Sequence, residues 1–140
     1  MGLKQSQEIL NKAFPSLKDS RKEIIELILD TISEYPFTFN LNRSELYLVI
    51  DEAITNAMEH GNRWDPAKKI KVLVTLKDSH MDISIEDEGS GFDTTAPRVY
   101  KDEEGNLSIR GRGIKIIKKF CTPAWNARGN RITLHLQLTE

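Results

Sequence analysis

The sequence predicts an α+β fold: a two-layer α/β sandwich in which a mixed, mainly antiparallel sheet is covered by helices on one face. Apolar residues recur at helical spacing from Ile24 to Ile32 and from Leu46 to Ala57. The period changes to two from Ile70 to Ile85 and again from Ile132 to Leu138. Helices are therefore interleaved with strands that turn back on themselves, which suits helices packed on one face of a sheet.

Reading in chain order, residues 5–14 form a first strand ending at Pro15. Asp19 or Ser20 can cap a first helix, whose Ile24, Leu27, Ile28 and Ile32 make an apolar stripe before Tyr35-Pro36 stops it. Asn42 or Ser44 opens a second helix with the stripe Leu46, Val49, Ile50, Ala53, Ile54 and Ala57, ended by Gly61-Asn62. Ile70, Val72, Val74 and Leu76 then alternate with Lys71, Leu73, Thr75 and Lys77. After a turn at Asp78-Ser79-His80, Met81, Ile83 and Ile85 alternate up to Asp87, giving an antiparallel pair. Residues 93–110 contain Pro97, Gly105 and many charges without either period, and read as a long loop. A short helix from Gly113 to Phe120 precedes Pro123, and a last hairpin pairs 124–127 with 131–138 across Arg128-Gly129-Asn130.

Composition bounds the function. With 140 residues, 39% hydrophobic and 29% charged, residues 1–140 fit a single domain with a core of its own. A formal net charge of −1 with interspersed signs predicts no direct nucleic-acid or membrane partner. Cys121 is the only cysteine, so no internal disulfide forms, and no apolar leader or long apolar run is present. A cytoplasmic protein is expected.

Three segments carry chemistry. Glu52 and Asn56 lie one helical turn apart, so a carboxylate and an amide oxygen project to the same place. The amide oxygen suits Mg²⁺, and Glu52 can accept a proton from an attacking hydroxyl or water. Asp87 ends a strand, and Gly89 and Gly91 let the backbone come close to a flat ligand. A carboxylate there accepts a hydrogen bond from the exocyclic amine of adenine. Gly111 and Gly113 open a helix whose N–H groups and dipole favour phosphate, with Arg110 and Arg112 adding positive charge. Each segment also fits an ordinary part: a wetted helix face, an Asp-Gly turn, a glycine loop before a helix. Neither a dinucleotide fingerprint nor a P-loop is present.

Taken in order, Glu52-x-x-x-Asn56, Asp87-x-Gly89-x-Gly91 and Gly111-x-Gly113 resemble the N, G1 and G2 boxes of the GHKL ATPase superfamily. The string Asp51-Glu52-Ala53-Ile54-Thr55-Asn56-Ala57 with Glu59-His60-Gly61 looks most like bacterial anti-sigma factors of the serine-protein kinase type. This resemblance implies a Bergerat-type ATP-binding fold with ATP and Mg²⁺ as cofactors. It further implies Glu52 as general base, Asn56 as metal ligand, Asp87 as adenine partner, Gly89 and Gly91 as pocket walls, and Gly111 and Gly113 as phosphate cradle. Residues 93–110 would be a lid, although a Thr-Thr-Lys-Pro type of string before the third box is missing. The implied partners are a sigma factor and an anti-anti-sigma protein of the STAS fold, phosphorylated on serine; a homodimer is left open. Two alternatives stand beside this: a non-catalytic partner switch that only holds nucleotide, and a detached histidine-kinase catalytic domain.

Overall fold

The computed structural model describes residues 7–36, 38–77, 80–89 and 109–139, with 109–114 as backbone only. Gly91, the lid residues 93–108 and the turn residues Asp78 and Ser79 lie outside the described residues.

Strand β1 (Gln7–Pro15) leads through a 3₁₀ turn at Lys18–Ser20 into helix α1 (Arg21–Ser33). A two-residue strand β2 (Thr38–Phe39), too short to leave a period in the sequence, precedes helix α2 (Arg43–Thr55). Then come β3 (Lys69–Leu76), β4 (His80–Glu86), helix α3 (Ile109–Phe120), β5 (Thr122–Trp125) and β6 (Arg131–Thr139). The sheet runs β1-β3-β4-β6-β2, with β5 also paired to β6, and every pairing among the described residues is antiparallel.

Alternation sets which face is covered. Ile70, Val72, Val74 and Leu76 of β3, Met81, Ile83 and Ile85 of β4, and Leu134 and Leu136 of β6 are buried in one core with the helices. On α1 the buried set is Ile24, Ile25, Ile28, Leu29 and Ile32, so the stripe is broader than the spacing predicts and Leu27 sits at its margin. α2 contributes Leu46, Val49, Ile50, Ala53 and Ile54, and Ile117 of α3 closes the layer. The opposite sheet face carries Thr75, His80, Asp82, Ser84, Thr133 and His135, which register places side by side.

Helix α2 starts at Asn42 with a reciprocal cap. The Glu45 N–H donates to Asn42 Oδ1 at 2.8 Å and the Asn42 N–H donates to Glu45 Oε1 at 2.9 Å, satisfying two donors a helix start leaves orphaned. The helix ends in a wider way than the sequence predicts. Residues Asn56–Gly61 form a π-helical turn, and the Asn62 N–H donates to Ala57 O at 2.9 Å, five residues back. Arg63 and Trp64 then both take left-handed backbone angles, φ 53° and 57°, a strained pair for residues other than glycine. Their turn is held by the Trp64 N–H donating to Met58 O at 2.8 Å. Trp64 is partly buried and packs on the core, with the Arg21 guanidinium 5.8 Å from its ring centre.

Candidate functional site

Asp87 is the best-held member of the site. Its N–H donates to Asn130 O and its carbonyl accepts from Asn130 Nδ2, both at 2.9 Å. Asn130 is itself oriented by Asn126, whose Nδ2 donates to Asn130 Oδ1 at 2.7 Å and whose Oδ1 accepts from the N–H groups of Gly129, Asn130 and Arg131. The turn between β5 and β6 thus clamps the end of β4. On the far side of Asp87, the Gly89 N–H donates to Asp87 Oδ1 at 2.8 Å, closing a tight turn.

A second clamp comes from the end of α2. Asn62 is 1% exposed, and its amide ties together three segments that are distant in sequence. Its Nδ2 donates to Ser16 Oγ at 2.7 Å and to Lys69 O at 2.9 Å, while its Oδ1 accepts from the Glu88 N–H at 2.8 Å. The Glu88 carboxylate in turn accepts from the Lys69 N–H. A buried amide whose donors and acceptor are all used fixes a turn firmly.

These clamps press the π-turn against Asp87. A Cβ placed on Gly61 would lie 2.6 Å from Asp87 Oδ1, and one on Gly89 would lie 2.9 Å from the same oxygen and equally close to the Gly61 carbonyl carbon. Only hydrogen fits at either position, so the Asp87 carboxylate lies in a cradle of bare backbone. The π-turn that ends at Gly61 begins at Asn56, so the structure joins the first two predicted segments through one short helical turn.

Glu52 and Asn56 are both half-buried, beside the core residues Ala53 and Ala57. That differs from a simply wetted helix face, on which both would be exposed. Asp51, next to Glu52, is engaged elsewhere: Arg21 Nη1 lies 3.5 Å from its Oδ1 and donates to Thr55 Oγ1 at 2.7 Å. Glu59 is exposed and has His60 Nε2 at 3.6 Å.

The third segment corrects the sequence reading in its placement. Helix α3 begins at Ile109, four residues before the predicted start, so Arg110, Gly111, Arg112 and Gly113 are helical rather than a loop ahead of a helix. The N–H groups of the first turn, Gly111 among them, have no partner within the helix, whereas that of Gly113 falls opposite the Ile109 carbonyl. Periodicity missed this start because the first turn holds two glycines and two arginines and shows no apolar stripe. Sequence reasoning also missed Gly61, Asn62, Asn126 and Asn130 as parts of the site. Asparagines before or after glycine read as turn residues, and only the fold shows that they meet Asp87.

Cys121 is half-buried, and burial pushes its pKa up to about 11. No helix among the described residues is long and apolar enough to cross a membrane.

Comparison with known proteins agrees with this architecture. The chain is 28% identical over 115 residues to the anti-sigma F factor of Shouchella clausii, covering 80% of this chain and 77% of that protein. It is 32% identical over 80 residues to the anti-sigma F factor of Oceanobacillus iheyensis, covering 55% of this chain and 54% of that protein. The family profile of the histidine kinase-like ATPase domain matches residues 17–136, from the end of β1 to within β6. With its antiparallel sheet, its helical layer and Asp87 cradled between Gly61 and Gly89, the chain belongs to the histidine kinase-like ATPase domain family.

Proposed function

We propose that this chain is an ATP-binding anti-sigma factor that phosphorylates a serine of a STAS-type anti-anti-sigma partner, acting as one cytoplasmic domain over residues 1–140. The observation that carries the reading is the cradle formed by Gly61 and Gly89 around the Asp87 carboxylate, because a planar base needs close approach to an acceptor fixed in orientation. The names of the two relatives support the regulatory half.

The donor set fits ATP with Mg²⁺. Asp87 accepts from the adenine amine, and Gly89 and Gly91 line the base. Asn56 offers an amide oxygen to the cation, which keeps most of its ligands as water and phosphate. The N–H groups of the first turn of α3, Gly111 among them, receive phosphate oxygens, with Arg110 and Arg112 adding positive charge to the segment and Gly113 adding no side-chain bulk. ATP supplies the transferable phosphoryl group and Mg²⁺ neutralises its charge. Glu52 takes the proton of the attacking serine hydroxyl, and its half-burial beside Ala53 keeps it on a rigid helix.

Calorimetry with MgATP tests the pocket: the wild type binds, and Asp87→Asn, whose carboxamide puts an N–H₂ donor in place of one of the two acceptor oxygens, loses at least tenfold in affinity. Absence of adenine-nucleotide binding to the wild type overturns the reading. Transfer of label from ATP to a STAS protein tests the kinase. Binding without transfer identifies a non-catalytic switch, and transfer undiminished in Glu52→Ala removes Glu52 as base.

A further inference from the structure

The sheet face turned away from the helices carries a group that the nucleotide site does not use. His80 and Asp82 alternate on β4 and so point to the same face, and register sets His135 of β6 directly opposite Asp82. One potential ligand atom from each of the three lies within 4.8 Å of the others. Asp82 Oδ1 is 2.6 Å from His135 Nδ1 and its Oδ2 is 3.7 Å from His80 Nε2. The Asp82 side chain is only 12% exposed, while the imidazoles of His80 and His135 are 32% and 38% exposed, so the carboxylate forms the floor and the rings the rim.

We propose that His80, Asp82 and His135 form a binding site for a borderline-soft divalent cation, Zn²⁺. Two imidazoles and one carboxylate are the donor set that Zn²⁺ accepts when three protein ligands leave a fourth position open. Bonds of about 2.0–2.1 Å in a tetrahedron separate ligand atoms by about 3.4 Å, and the three potential ligand atoms already lie within 4.8 Å of one another. The two imidazoles also line a cavity of about 530 Å³, together with Phe39, Phe120 and Thr122. The cavity lies where the outer edge of β6 has no strand partner among the described residues, between β2 and β5, and gives the fourth position room for water or a small ligand. The site lies at the start of β4, whereas Asp87 follows its end, roughly 20 Å away at about 3.3 Å per residue. Nitrogen ligands discriminate against Mg²⁺, so the two sites take different metals.

The chain has three histidines, which makes the test direct. Metal-free wild-type protein without nucleotide is titrated with Zn²⁺ by calorimetry, with imidazole resonances followed by NMR. One Zn²⁺ per chain is expected, moving the signals of His80 and His135 and leaving His60 in place. The melting temperature should rise by about 9 °C at a hundredfold excess over Kd, with no rise from Mg²⁺ alone. His80→Gln and His135→Gln should each weaken binding at least tenfold, while His60→Gln leaves it unchanged. Absence of saturable uptake, uptake that perturbs His60 instead, or affinity unaffected by both rim substitutions overturns the proposal. The wild-type spectrum decides even where a variant fails to fold.

Discussion

Replacing Asn62 by alanine removes the amide that ties Ser16, Lys69 and Glu88 together, and its effect follows from the bonds it makes. The backbone at this position, φ −89° and ψ −8°, is one alanine adopts readily, so the loss comes from the side chain. Three hydrogen bonds at about 1 kcal/mol each predict a destabilisation of about 3 kcal/mol. Ser16 is 1% exposed, so its hydroxyl loses this partner where water has little access, which pushes the value up rather than down. For a chain of this size that is a drop of about 10 °C in melting temperature. Urea unfolding should show a lower midpoint with an unchanged slope. Because the Glu88 N–H is released, the turn that aims Asp87 loosens, and affinity for MgATP should fall at least fivefold under conditions where the variant is folded. A destabilisation below about 1 kcal/mol would refute the bond count. Unchanged nucleotide affinity would refute the claim that Asn62 positions the Asp87 turn.

Asn42→Ala breaks the reciprocal cap with Glu45 at an exposed helix start and should cost about 1 kcal/mol, measured by denaturant unfolding, with no change in nucleotide affinity. Cys121, with its pKa near 11, presents about one thiolate in a thousand at pH 8, against about a quarter for an exposed thiol. After allowance for its greater intrinsic nucleophilicity, alkylation should run about twentyfold slower than for a free cysteine and accelerate tenfold per pH unit up to pH 10. A rate equal to that of the free amino acid refutes the burial argument. The sign for stability follows: the folded state keeps a proton that the unfolded chain releases above about pH 9, so this contribution is present below pH 9 and is lost as pH rises toward 11. Cys121→Ser should flatten that part of the pH profile.

The sequence by itself determined the elements and their faces, because burying one side of a helix or strand imposes a period that can be read locally. The alternation from Ile70 to Ile85 and the stripe of α2 are both of this kind, whereas the choice of Asn42 over Ser44 as the cap of α2 came from the structure. It also determined the chemistry on offer, a carboxylate and an amide one turn apart and an acid before glycines, and hence the family. Where the local signal was weak, the reading failed: β2 is too short for a period, and the glycines of α3 hid the true start of that helix. The tertiary structure alone decided how the end of α2 meets the turn after β4. The π-turn from Asn56 to Gly61, the left-handed pair Arg63 and Trp64, and the clamps of Asn62 and Asn130 depend on contacts between segments far apart in the chain. No local period encodes such contacts, since each satisfies a buried polar group of one segment with a donor or acceptor from another. The same holds for His80, Asp82 and His135, which strand register alone brings together.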